Sequence, residues 1–198
     1  MAELVKAEDL DYQEEIIENM TAEEIRSVWD DEILLWIFAS GSGSNKSSGN
    51  YYAVMDYKGN TKTLEGEISG GSTFAVTAQA MIDCVKTIKK PMRVHMLFPC
   101  PMGLGNSLKG KGSYARQHQE AFAILKEKEC TLSSSVVAGD VIREYVLPYF
   151  NIQPIPKENK YRIMIYRECL GKVEAVMRKH QLSEGIIEEV RRIEETAG

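Results

Sequence analysis

The feature that most constrains this chain is the apolar run Ile33–Ala39 (ILLWIFA), stopped abruptly by the Gly- and Ser-rich stretch Ser40–Asn50. The run is too short for a helix with one buried face, and it is rich in residues that favour pleated structure. It reads as a central strand buried on both faces. The stretch after it is a flexible turn leading into Tyr51–Tyr57, and Lys58-Gly59-Asn60 makes a tight turn into Thr61–Ile68. Three strands joined as a meander are therefore expected.

The next segment changes period. Gly70 and Gly71 end the third strand, and Ser72 or Thr73 caps a helix in which Phe74, Ala78, Met81, Val85 and Ile88 recur at spacings of four and three. Arg93–Phe98 (RVHMLF) follows as a fourth strand, which a right-handed crossover lays parallel to the first. Pro99–Gly112 reads as a Gly- and Lys-rich loop, Tyr114–Glu129 as a helix, Thr131–Ser135 as a linker, and Ala138–Phe150 as a helix that runs into a short strand at Asn151–Ile155. Arg162–His180 reads as a long helix, and Ser183 caps a last one containing Ile186, Val190 and Ile193. Before all of these, Leu10, Ile16, Ile17 and Met20 lie near one face of one or two short helices, and Thr21 with Glu24 forms a capping box.

Charge divides the chain in the same places. The net charge is −5, but residues 1–32 hold twelve acidic and two basic side chains, residues 33–182 twelve acidic and twenty basic, and residues 183–198 five acidic and two basic. A basic body with acidic flanks suits a polyanion-binding surface regulated by its own arms, although solvated helix faces that differ in charge give the same tally. The four cysteines Cys84, Cys100, Cys130 and Cys169 are scattered without a CxxC pair, and only His95, His118 and His180 would join them. Buried free thiols fit that spacing better than a zinc site. No stretch approaches the roughly 20 apolar residues of a membrane helix, and the first residues are acidic where a secretory signal is basic and then apolar. A cytoplasmic location without membrane contact is expected.

The order β-β-β-α-β-α-β-α, with a glycine-rich turn after the first strand, resembles the ribonuclease H fold. LWIFASGSGSNKSSGNYYAVM is similar to the family's first hairpin, GNTKTLEGEISGGSTFAVTAQAMIDCVKTIKK to its third strand and first helix, and NIQPIPKENKYRIMIYRECLGKVEAVM to its fifth strand and last helix. The resemblance implies an α/β domain over 33–182, with a mixed five-stranded sheet flanked by helices. Residues 1–32 are then an acidic helical N-terminal arm and 183–198 a C-terminal helix.

The family's chemistry needs two magnesium ions held by four carboxylates, because magnesium demands hard oxygen ligands. Carried over by position, the four fall on Ser40, Thr77, Pro99 and Leu170, none of which is a carboxylate. The resemblance therefore implies no catalytic residue, metal or cofactor, and a protein that binds nucleic acid or a protein partner without cleaving. Asp83 and Glu168 lie near two of these positions but point elsewhere on their helices. A metal nuclease with carboxylates relocated to Asp56, Glu65, Asp83 or Asp140 is the alternative, and a structural or inhibitory subunit acting through acidic residues 1–32 is another.

Lys109, Lys111 and Arg116, with Lys157, Lys160 and Arg162, are the expected phosphate contacts. The stretch Gly105–Ser113 nearly spells a phosphate-cradling loop but puts Gly112 where a hydroxyl should meet magnesium. His95 alternates with core residues on a strand and reads as structural, and Tyr51, Tyr52 and Tyr57 either pack on the sheet or stack bases.

Overall fold

In a computed structural model of the protein, which describes residues 3–41 and 48–153, the expected central strand forms as β2 (Ile33–Ser40). Leu35, Trp36 and Ile37 in its middle are 0% exposed, which is why the sequence shows a continuous apolar run there instead of an alternating one. β3 (Ser48–Tyr57) returns antiparallel to it, with Ser40 opposite Asn50 and Leu34 opposite Asp56, and β4 (Asn60–Ser69) completes the meander. α2 (Thr73–Lys86) crosses over, its first turn capped by Ser72, and delivers β5 (Arg93–Phe98) parallel to β2.

α3 (Leu104–Ser107) and α4 (Ala115–Glu127) follow, then β6 (Thr131–Val136), parallel to β5, and α5 (Gly139–Val146). The five strands run in the order β6-β5-β2-β3-β4 with only β3 antiparallel to the rest, which is the arrangement of a ribonuclease H-like sheet. One hydrophobic core lies between the sheet and α2 with α4, centred on Met81, Met96 and Phe122. The other lies beneath α5 and α1 (Ala22–Val28), centred on Trp36, Leu97 and Ile142.

Two expectations are corrected. The fifth strand of the described sheet is β6, which reads as a linker because its serines carry no apolar signal, and of the expected strand 151–155 the described residues 151–153 are not in a strand. Asn151 takes a left-handed φ of 57° after a 3-10 turn at Leu147–Phe150, a conformation that ends an element. The sheet also has a sixth strand, β1 (Gln13–Ile16), parallel to β6 at the edge, where helix had been expected.

The segment before β2 is accordingly built into the body. Val5 and Leu10, 4% and 1% exposed, join the α2–α4 core, while Ile25 on α1 is 0% exposed in the other core and Ile17 and Met20 pack beside it. Ile16, expected on the same face as Leu10, is 87% exposed, because the chain passes round the sheet edge at β1 instead of continuing a helix. The capping box at Thr21 forms as expected, with the Thr21 amide donating to Glu24 at 2.7 Å.

Lys128 ties the crossover together. Its ammonium donates to the carbonyls of Val85, Lys86 and Ile88 at 2.8, 2.8 and 2.5 Å, placing a cation on the carbonyls at the C-terminal end of α2.

The chain divides into two units, Met1–Gln153 and Pro154–Gly198. The expected helices at 162–180 and 183–198, together with Leu170, Cys169, Lys157, Lys160 and Arg162, lie outside the described residues. Among the described residues no helix is long and apolar enough to cross a membrane.

Candidate functional site

Sheets of this kind place their sites outside the carboxyl ends of the parallel strands. Ser40 is the last residue of β2 and exposed, and Pro99 follows the last residue of the neighbouring β5. The N-terminus of α2 is pinned to the same place, since Thr73 donates its hydroxyl to the Gly41 carbonyl at 3.1 Å. Gly41 is required there: a Cβ would meet the Gly71 carbonyl oxygen and the Ser72 carbonyl carbon, both at 2.9 Å. One turn further, Thr77 is 1% exposed and spends its hydroxyl on the Thr73 carbonyl at 2.8 Å.

Ser40 and Pro99 thus lie at one end of the sheet, and Thr77 sits one turn into the helix pinned there. They present an exposed hydroxyl, a committed hydroxyl and a proline. Leu170 is outside the described residues, but among them the helix that follows the last strand of the sheet is α5. Its first turn carries Asp140, and Gly139 lies against Pro99, where a Cβ would stand 3.4 Å from the proline Cβ. Asp140 thus starts the helix whose first residue lies against Pro99, and Glu67 on β4 stands in register with Ser40 across Asn50.

The other acids are dispersed. Asp56 stands opposite Leu34, six residues from Ser40 along β2 and so about 20 Å away. It is 3% exposed and satisfied by the Tyr145 hydroxyl at 2.7 Å, Arg26 Nε at 2.8 Å and the Gly59 amide at 3.0 Å. Asp83 sits on α2 and accepts from the Tyr51 hydroxyl at 2.7 Å and Gln79 at 2.9 Å. Glu65 is exposed on the edge strand β4. Among the described residues no group of three His, Cys, Asp or Glu side chains is placed to hold a metal ion.

The start of α2, beside Gly41, is aromatic, and exposed cations follow in the loop and helix that its ring partner belongs to. Ser72 Oγ, which accepts from the Ala75 amide, also shares a hydrogen bond with the Tyr114 hydroxyl. The Tyr114 ring stacks on Phe74 at 6.1 Å between centroids, and Phe74 is 39% exposed. Tyr114 caps α4, whose first turn carries the exposed Arg116, and the loop before it presents Lys109 and Lys111 to solvent. Leu104 and Leu108 bury that loop's base in the core, so its lysines project from a fixed platform. The sequence offers the three cations by their charge alone. It did not find Phe74 and Tyr114, which are forty residues apart and meet only through packing.

The remaining candidates are structural. The Gly105–Ser113 stretch forms α3 and a turn with left-handed glycines at 110 and 112, not a phosphate cradle between a strand and a helix. His95 is 0% exposed, stacked on Trp29 at 4.3 Å, with Nδ1 bonded to Ser133 Oγ at 2.6 Å and Nε2 to Ser135 Oγ at 2.9 Å. Burial holds its pKa down at about 4. Tyr51 is 4% exposed, Tyr52 packs on Phe150, and Tyr57 lies under Lys58, so all three pack. Cys84 and Cys130 are buried free thiols and Cys100 is half-buried, with Cys84 pushed up to about 12 by burial first and by the Asp83 charge second.

No family model and no curated protein matches the chain. Among solved structures it is similar to the ribonuclease H1 of the halophilic archaeon Halobacterium salinarum NRC-1, at 10% identity and a TM-score of 0.49, covering 59% of this chain and 92% of that one.

Proposed function

We propose that this protein is a ribonuclease H-like binding module that does not cleave nucleic acid but holds it across the carboxyl ends of β2 and β5. The observation that carries this reading is the composition of that end of the sheet. By the family resemblance Ser40, Thr77 and Pro99 take the carboxylate positions of a two-metal site, and the start of α2 there carries the exposed ring of Phe74, which stacks on Tyr114 next to the exposed Arg116 and the loop of Lys109 and Lys111. One aspartate, Asp140, does not clamp two divalent ions. Cations on a fixed loop neutralise phosphates, and an exposed ring beside them offers a stacking surface that is indifferent to base identity. The expected ligand is a single strand or duplex bound with little sequence preference.

The test is fluorescence anisotropy with labelled oligonucleotides over a series of salt concentrations. Replacing Lys109, Lys111 and Arg116 by Gln should flatten the log–log salt dependence by roughly 0.7 to 0.9 per contact removed, and Phe74→Ala should cost about 1 to 3 kcal/mol of single-strand binding. An RNA–DNA hybrid should stay intact with magnesium or manganese. Metal-dependent cleavage that Asp140→Asn or Asp83→Asn abolishes would establish the relocated-carboxylate nuclease instead. If no nucleic acid binds at low salt, association with a basic protein partner through the exposed acids of residues 3–32 is the reading that remains.

A further inference from the structure

The opposite end of the sheet carries a second feature, independent of the reading above. Ile33 begins β2 as Ser40 ends it, which separates the two ends by about 23 Å. Around Ile33 lies a groove of about 310 Å³ floored by Met55, Ile88 and Met92 and flanked by Tyr57 and Thr87. Its rim is Lys62, Lys89 and Lys90, all exposed, with Asn60 beside them.

Two facts make this rim electrostatically unusual in a chain of net charge −5. No acidic side chain lines the groove, and among the described residues none of the three lysines forms an ion pair. The C-terminal end of α2, whose open carbonyls would repel an anion here, is already occupied by the Lys128 ammonium on Val85, Lys86 and Ile88. An apolar floor under three uncommitted cations is complementary to a molecule with an apolar body and one negative end.

We propose that this groove binds a small amphipathic anion, a free acyl carboxylate whose tail lies on Met55, Ile88 and Met92 and whose carboxylate meets Lys62, Lys89 and Lys90. The volume is at the small end of ligand pockets and accommodates a tail of roughly eight to ten carbons. Affinity comes from the buried tail, and the lysines select the anion over its neutral analogue.

Isothermal titration of the full chain with octanoate and with 1-octanol tests this. Octanoate should bind one site with a Kd below about 1 mM, and 1-octanol at least about tenfold more weakly. The paired reversal Lys89→Glu with Lys90→Glu, on exposed side chains that do not enter the core, should weaken octanoate at least about tenfold. Lys109→Glu with Lys111→Glu, at the far end, should leave it unchanged, so failure here and failure of nucleic-acid binding are read separately. Absence of saturable octanoate binding overturns the proposal, as does equal binding of 1-octanol or indifference to the reversal.

Discussion

The Tyr145 hydroxyl on α5 donates a 2.7 Å hydrogen bond to the Asp56 carboxylate on β3. Arg26 of α1 reaches the same carboxylate oxygen at 2.8 Å, so one buried acid joins both helices of this face to the sheet. The Tyr145 ring also stacks on Trp36 of β2 at 4.3 Å. Burial first, and the adjacent carboxylate second, push the phenol far above its usual pKa, so it stays a donor throughout the working pH range. This is why the most buried aspartate of the described residues is satisfied without a metal.

Removing the acid leaves the phenol without its acceptor in a desolvated site. Asp56→Ala should destabilise the fold by about 3 kcal/mol, the lower part of the range for a broken buried pair because Arg26 is 41% exposed. Tyr145→Phe should cost about 1 to 2 kcal/mol. Urea midpoints at pH 7 measure both, and an Asp56→Ala protein within about 0.5 kcal/mol of the parent would remove this network from the account of stability.

Deleting residues 1–31 should unfold the protein or lower its melting temperature by well over 10 °C, not release a nucleic-acid surface. The deletion takes out Val5, Leu10 and Ile25, which are 4%, 1% and 0% exposed, and each buried side chain of that size contributes about 1.5 to 3 kcal/mol. It also removes β1 from the β6 edge and the Tyr12–Ser134 hydrogen bond of 3.0 Å. A truncated protein that melts normally and binds oligonucleotides more tightly would restore the picture of a detachable acidic arm.

Acid should destabilise the protein before its carboxylates titrate. His95 and His118 are held neutral by burial, both with pKa pulled down to about 4 from 6.5. For a histidine depressed in the folded state, stability is fully present above the unfolded pKa and is lost as pH falls from about 6.5 towards 4. The loss should be on the order of 2 kcal/mol per histidine by pH 4. Glu32, raised chiefly by burial, acts in the opposite sense across the carboxylate range. Urea midpoints between pH 7 and 4 check this, and His118→Gln should remove one histidine's share. A flat profile down to pH 4.5 would be incompatible with two buried neutral rings.

Gly41→Ala should cost about 1 to 3 kcal/mol, because the added carbon meets backbone atoms at 2.9 Å that no side-chain rotation can move. The strain falls where the end of β2 touches the start of α2. Oligonucleotide affinity at that end should weaken along with thermal stability, and a variant unchanged in both would contradict the close approach.

The meander β2-β3-β4, helix α2 and strand β5 were legible in the sequence because each carries its own signal: apolar runs, Gly and Asn turns, a Ser72 cap and a 3.6-residue period. Ser40, Thr77 and Pro99 were singled out only through the family resemblance, and their standing as vestigial metal positions belongs to the proposal above. The strands β1 and β6 were not. Gln13–Ile16 and Thr131–Val136 are polar, and they are strands because each satisfies its backbone on a neighbour more than a hundred residues away or across a helix. Ser135 is buried and Ser133 half-buried against a group outside their own segment, the imidazole of His95 on the adjacent strand. Propensity is local, whereas a ladder and a buried polar pair are written in two places at once. For that reason the elements with a local signal were readable in the sequence, and only the folded chain brought Phe74 to Tyr114, Gly139 to Pro99, and the acidic N-terminal segment into the body itself.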